Sequence, residues 1–506
     1  MDLAFALSPF LILGVGALLL MLAEAFAIKP GHVPSRALGG DSEDSAKGLA
    51  LGSSIVFFTS AAFAGGIWLY GVDNLEGVSA VAPWLLLDKF TVFFEVLLCL
   101  GGGLTALLAG GYLPEHNLNR GEFYSLLIFS TLGAMVLAAA GDLLTVFLGL
   151  ETMSLGAYAM TAFRRASPRS AEGGLKYFLL GSFAAAVMLY GFALLYGVTG
   201  HTDLAGIGTS LATGAAKNPI TILALAFILV GLVFKVSGVP FHMWTPDAYD
   251  GAPTPATTFM AVAVKSAGFA MMLRILLTSF GTAGFTSWAS GWPPVIAWIS
   301  VLTMTVANLI AGRQDSVKRM LAYSSIAHAG YLLLGVVACS RSPGATGSIL
   351  FYLLAYTAST AGAFGALILC GSRGKEAISY EDLSGIGRRH PAAALPFALF
   401  LFSLAGIPPT AGFFGKWFVF RSVIDNGFYI LAVIALLNSV VAAYYYIRVL
   451  VFMYMREPAA GAPVAIPMRS GYVNAALLIC AILVLALGIV PGSTLDVAQA
   501  AAAFNG

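Results

Sequence analysis

Apolar runs of about twenty residues recur along almost the whole chain, each long enough to span a hydrocarbon core of about 30 Å. Such runs read as transmembrane helices. The balance of residue types agrees: 59% of the 506 residues are hydrophobic and 10% charged, and a soluble domain of this size needs far more charge to cover its surface. About fourteen spans are legible, with approximate cores at 3–26, 49–70, 90–110, 123–140, 143–163, 175–196, 220–239, 257–279, 294–311, 317–338, 348–370, 392–423, 430–453 and 473–490. The connections are short, so the reading is an all-α polytopic membrane protein with one membrane domain, 1–506. The first run begins at Leu3 with no basic region ahead of it, which fits a retained helix better than a cleavable signal.

The distribution of basic residues tests the span count. Taken alternately, one set of loops holds Lys29, Arg36 and Lys47; Arg120; Arg164, Arg165 and Arg169; Arg313, Lys318 and Arg319; Arg373, Lys375, Arg388 and Arg389; and Arg456 and Arg469. The other set holds only Lys89, Lys217 and Arg341. A miscounted helix scrambles this alternation from the error onward. Both termini are therefore expected on the outer side, with the basic loops facing the cytoplasm.

Two spans carry their own breaks. The seventh contains Lys235-Val-Ser-Gly-Val-Pro240 followed by His242 and Trp244; the twelfth contains Ala405-Gly-Ile-Pro-Pro409, then Gly412 and Lys416. Proline lacks a backbone donor and clashes with the preceding turn, so a helix kinks or unwinds there. Unwound backbone at membrane depth persists only where protein buries it or water reaches it. The breaks lie five spans apart, and that odd offset makes the two segments run in opposite directions, as inverted repeats around a midplane site require. Simple helix kinks are the plainer alternative.

A charged group in mid-span costs roughly 2.5–3.5 kcal/mol and is functional by default. Glu151 lies about nine residues past the start of its span, about 14 Å deep at the helical rise. Lys265 lies equally deep, beyond easy snorkelling. Lys235 and Lys416 flank the breaks, where an ammonium meets freed carbonyls and water. Against each stands a purely structural reading: a hydrogen-bonded neutral acid, or an amine that satisfies carbonyls. Lys176 pairs with Glu172 at i,i+4, which suits an ordinary surface pair as well as a proton-uptake point. His242 and His328 fit a relay and a packing role equally. Arg274, Arg421 and Arg448 read as anchors or structural pairs, and Asp247 and Asp250 as solvated loop acids. The chemistry favours these residue types because desolvation brings a lysine into the range where it exchanges protons, and an approaching carboxylate reverses that. A row of Lys235, Lys265 and Lys416 at similar depth makes a lateral relay, controlled by the position of Glu151.

Other classes find no support in the motifs. Cys99, Cys339, Cys370 and Cys480 are widely spaced in apolar runs with no CxxC, so no disulfide framework, zinc site or iron–sulfur cluster is expected. Histidines number six, too few in apolar segments for paired haem ligation. There is no phosphate-binding glycine loop. No metal and no nucleic-acid partner is expected.

The stretch at 234–255, ending Asp247-Ala-Tyr-Asp-Gly-Ala-Pro-Thr-Pro255, resembles the signature of the antiporter-like membrane subunits of respiratory complex I (NADH-quinone oxidoreductase). It is similar to the subunit N branch in particular. So is Ser403-Leu-Ala-Gly-Ile-Pro-Pro-Thr-Ala-Gly-Phe-Phe-Gly-Lys-Trp417, with lysine where subunit M has glutamate. The likeness runs from about the fourth span to the thirteenth. It implies fourteen helices with two inverted five-helix repeats: an N-terminal unit 1–112, a first repeat 121–280, a second repeat 293–455 and a final helix 472–492. It implies Glu151 as a carboxylate that modulates its partner Lys235, Lys265 as the connecting relay, and Lys416 as the residue toward the exit. Lys176, His242 and His328 are further possible relays. Lys235 precedes its break and Lys416 follows its own, so the two are not strict repeat equivalents.

The function this implies is proton translocation across a bacterial inner membrane, driven by quinone reduction elsewhere in the complex. NAD, flavin, iron–sulfur clusters and quinone belong to other subunits, and neighbouring antiporter-like subunits and the lipid bilayer are the expected partners. An Mrp-type multisubunit cation/proton antiporter shares the lysines and breaks; the loop after Trp244 favours complex I. A structural subunit without a proton path is the third class.

Overall fold

A computed structural model describes residues 2–27, 43–75, 77–371, 374–458 and 465–503. Among them, twelve helices are long and apolar enough to cross a membrane without interruption. They are α1 (Ser8–Ala27), α2 (Glu43–Tyr70), α3 (Lys89–Glu115), α4 (Glu122–Ala139), α5 (Leu143–Thr161), α6 (Pro168–Thr199), α8 (Thr254–Ser279), α9 (Trp292–Ala311), α10 (Val317–Cys339), α11 (Ala345–Cys370), α13 (Tyr429–Met455) and α14 (Gly471–Ile489). The two remaining spans are interrupted. In α7 the helix Pro219–Lys235 leads through 236–243 to a short helix, Trp244–Gly251. In α12, Pro391–Ala405 is followed by Ala411–Asp425. The span pattern and both breaks expected from the sequence are present. Of the basic loop residues, Lys29, Arg36 and Arg373 lie outside the described residues.

Local chemistry sets the ends of these helices. Asp88, Asp142, Ser167, Asn218, Ser316 and Ser470 each accept a backbone N–H of the first turn that follows, satisfying one of the orphan donors there. Pro168 stands at the first position after the Ser167 cap, so α6 starts seven residues before the apolar core at 175–196. Gly200 and Gly406 close α6 and the first half of α12 in left-handed conformations, φ 73° and 87°, which cost glycine little.

Helices α8, α10 and α11 form the centre, each with 94% of its membrane window buried, and α3 is nearly as enclosed at 89%. α1, α6, α13 and α14 lie outside them. Close backbone approach holds α4 against α5. A Cβ at Gly133 would collide with Met153 N, one at Gly149 would stand 2.7 Å from Leu137 N, and one at Gly156 2.9 Å from Leu126 O. Small residues permit such crossings where lipid supplies no hydrophobic drive. This contact fixes the height and facing of the helix that carries Glu151.

Candidate functional site

Where α7 stops, the backbone freed by the break is taken up locally. Gly238 N–H bonds Val233 O at 2.8 Å, Val239 N–H bonds Thr303 Oγ1 on α9 at 2.9 Å, and Trp244 Nε1 donates to Phe234 O at 3.3 Å. Lys235, the last residue before the break, is 3% exposed. Its Nζ donates to Ser154 Oγ at 2.7 Å and lies 3.5 Å from Tyr177 OH. The Tyr177 ring, stacked on Trp244 at 4.0 Å, presents its face to the amine at 5.6 Å. Ser154 and Glu151 are one turn apart on the same face of α5, and Glu151 is within Coulombic reach of Lys235. Glu151 is half-buried, and its Oε1 has no hydrogen-bond partner among the described residues.

The middle of the protein repeats this arrangement. Lys265 directly follows a π-helical turn, Met260–Val264, of the kind often found at functional positions. It is 1% exposed and donates to Ser325 O at 2.6 Å and to Ser325 Oγ. Tyr356 O–H donates to the same hydroxyl at 2.7 Å and shows its ring to the amine at 5.8 Å. One turn along α10, His328 Nδ1 meets Tyr352 OH at 2.7 Å and Nε2 meets Tyr446 OH at 3.1 Å; Tyr446 in turn meets Ser324 Oγ. His328 is within Coulombic reach of both Lys265 and Lys416.

Beyond it, Lys416 donates to Ala405 O, a carbonyl at the end of the first half of α12, at 2.9 Å and to Ser439 Oγ at 3.2 Å. The Tyr331 ring faces it at 5.5 Å. Tyr331 OH accepts from Asn308, which accepts from Tyr445. Three buried amines thus each meet a serine hydroxyl and a tyrosine face, and none makes a salt bridge among the described residues. A buried amine with only hydroxyl and carbonyl partners bears the cost of its charge without an anion beside it.

Lys176 lies on the basic side, between Glu172 at 2.6 Å and Asp247 at 2.7 Å. Asp247 also binds Arg319 at 2.8 Å. It is therefore not the solvated loop acid the sequence suggested, but a link from α6 to α10. Glu172, Asp247 and Arg319 edge a polar cavity of about 450 Å³ that Arg169, Asp250 and Asp315 also line. His242 is half-buried after the break and makes no hydrogen bond to a lysine among the described residues.

A family model described as "NADH:quinone oxidoreductase/Mrp antiporter, TM" matches residues 140–442, which include every residue named in this site except Tyr445 and Tyr446. NADH-quinone oxidoreductase subunit N 1 of Sorangium cellulosum is 64% identical over 498 residues, covering 97% of each chain. The chain belongs to this family, in its subunit N branch. Subunit N of Trichlorobacter lovleyi is 42% identical across 97% of this chain and 96% of its own. Among solved structures, a chain of respiratory complex I from Thermus thermophilus with bound aureothin matches with a TM-score of 0.77 and 34% identity, covering 96% of this chain and 98% of that one. A chain of the Mrp complex from Dietzia matches with a TM-score of 0.82 at 22% identity over 99% and 97% of the two chains, a likeness of fold.

Two features of this subunit N chain, Glu95 and Glu376, escaped the sequence reading, and a third, Arg274, was left between two readings. Glu95, in the second turn of α3, is 1% exposed, and its Oε2 has no hydrogen-bond partner among the described residues; the rarity rule applied to Glu151 bears on it too. Of the two readings given to Arg274, anchor or structural pair, the second holds. Arg274 is 1% exposed and forms a bidentate pair with Asp88 at 2.6 and 2.7 Å, with a further bond to Thr91 at 2.8 Å. Glu376, in the loop after α11, gathers Thr254 at 2.6 Å, Lys318 at 3.5 Å, Arg164 at 3.6 Å and the Tyr112 hydroxyl. Burial pushes its carboxyl up, but the Lys318 and Arg164 charges and the Thr254 and Tyr112 hydrogen bonds outweigh that and hold it down at about 2.

Proposed function

We propose that this chain is a proton-translocating membrane subunit of NADH-quinone oxidoreductase, in which protons pass along Glu151, Lys235, Lys265 and Lys416. The observation that carries the reading is the set of three amines without a salt bridge among the described residues, buried in or beside the central helices and each held by a serine hydroxyl. An isolated buried charge is expensive, so each amine exchanges its proton rather than keeping it as a fixed ion. Glu151 acts on Lys235 through space: as a carboxylate it favours the ammonium, and once protonated it releases the proton toward Lys265. His328 bridges from Lys265 to Lys416, and Lys176 takes up protons at the basic side. His242 adds a relay beside the break.

The same reading divides the chain into an N-terminal unit 1–112, inverted repeats 121–280 and 293–455, and a last helix 472–492. It sets the chain in a bacterial inner membrane with both termini on the outer face. Exposed leucines flanking Glu151 on α5, among them Leu148 at 63% and Leu155 at 56%, suit a neighbouring antiporter-like subunit or lipid. Redox chemistry with NAD, flavin, iron–sulfur clusters and quinone takes place in other subunits.

The test is proton pumping per electron by the assembled complex in vesicles. Glu151→Ala and Lys265→Ala are expected to lower it sharply with assembly intact. Normal stoichiometry in both variants makes the chain a structural subunit.

A further inference from the structure

The Glu376 cluster stands directly below the central lysine. Lys318 and Ser325 are seven residues apart on α10, two turns along one face and about 10 Å in depth. Ser325 is the residue that accepts from Lys265. Thr254, which donates to Glu376, opens the helix that carries Lys265, and Thr258 lies one turn further along it. Between the two ends lie buried hydroxyls that make no hydrogen bond of normal geometry among the described residues. Tyr249 OH, on the Trp244–Gly251 helix, is turned toward Ser325 yet makes no hydrogen bond of normal geometry. Thr360 Oγ1, one turn from Tyr356 on α11, faces the Tyr356 hydroxyl without a hydrogen bond of normal geometry among the described residues, and Thr357 Oγ1 likewise makes none. All three side chains are at least nine-tenths buried. Buried hydroxyls without protein partners are what ordered water occupies, and a water needs two to four polar neighbours such as these provide.

We propose that a second proton route opens on the basic face and reaches Lys265 directly, running past Thr258, Tyr249 and Thr360 to Ser325, with the Glu376–Lys318 pair as its gate. It rests on the proton-translocating reading above but does not pass through Lys176, Glu151 or Lys235. At the gate, Lys318 Nζ is fully buried and is held by Ala252 O at 2.7 Å as well as by Glu376. Glu376 also faces Arg164, Thr254 and Tyr112, with His116 nearby on α3 and Asp250 within reach of Lys318. While the pair is closed, water on the basic side is sealed from Tyr249. When Lys318 swings from Glu376, hydroxyls and water form a continuous line to the amine. A proton then passes from water to Lys265 Nζ, and each donor along the line is refilled by the one behind it.

The experiment uses the whole complex in sealed vesicles, with passive proton leak and NADH-driven pumping per electron as readouts. Tyr249→Phe with Thr360→Val deletes two hydroxyls while keeping side-chain shape, and is expected to leave assembly unchanged and pumping roughly halved. Glu376→Gln is expected to raise the passive leak several-fold, Glu376→Asp to restore the seal, and the triple variant to lose the leak. Normal pumping in the double variant, or a leak that persists in the triple, overturns the second route. Should Lys265→Ala also pump normally, the proton-translocating reading itself fails, so the two failures are distinct.

Discussion

Arg274 shows how far one side chain can anchor several elements. Its guanidinium holds Asp88 in a fork and reaches Thr91 and Ala138 O, so α8 is tied to the start of α3 and the end of α4. Breaking a buried pair by removing one partner leaves the other charge uncompensated, at about 3–5 kcal/mol. Arg274→Met is therefore expected to lower the thermal stability of the purified complex clearly. Arg274→Lys is expected to recover only part of it, because a lysine cannot reproduce the fork. Glu376 makes a pH-dependent contribution of the opposite location but the same sign. Its carboxyl titrates at about 2 in the folded chain against an ordinary 4.5. The stabilisation is complete above the ordinary value and declines as pH falls toward 2. The stability gap between wild type and Glu376→Gln, followed by thermal unfolding, is expected to be full near neutrality and to shrink in acid. At this scale the sequence exposed Glu151, Lys235, Lys265 and Lys416, because charge inside an apolar run is visible without knowing any neighbour. It did not expose the serine and tyrosine partners, which come from other helices and are common residues in any span.

Among the elements, the α4–α5 crossing and the break in α12 control where the ionisable groups stand. Gly133→Val is expected to push α5 away from α4, since even a Cβ meets backbone there. Pumping would fall through displacement of Glu151 and Ser154, while Gly65→Ala, whose Cβ meets nothing within 4 Å, would leave it unchanged. Gly406 is strained for any other residue at φ 87°, and a Cβ would press on Lys416 at 3.1 Å from Cδ. Gly406→Ala is expected to cost about 1–2 kcal/mol and to reduce pumping by displacing the amine from Ala405 O, readable as lost stoichiometry in an assembled complex. The spans themselves were legible because a run of the right length leaves few alternatives. Short helices such as Leu204–Thr213 and Pro491–Ala501 were not, since neither is long enough to stand out from a loop. The π turns of α8 have no residue signature, and only the coordinates reveal them.

For the molecule as a whole, the alternating loop charges make a direct prediction about sidedness. Cysteines introduced at Arg165 and Arg388 are expected to react with a membrane-impermeant thiol reagent from the cytoplasmic side, and one at Arg341 from the other side, in oriented vesicles. Labelling of all three from one side would overturn the topology. This much follows from counting charges along the chain. The Glu376 cluster does not, because its members are drawn from positions 112, 164, 254, 318 and 376, and no local pattern joins them.

That separation bears on biogenesis. Tyr112 meets Glu376 across 264 positions, so the ribosome has delivered eleven spans before the acid appears. Until then Arg164 and Lys318 lack the carboxylate that joins them, and α3, α8 and α10 are not yet clamped together on that side. The carboxylate thus works as a late fastener: a chain cut short ahead of Glu376 is expected to lack this clamp, and so to be cleaved by protease more readily than the full chain.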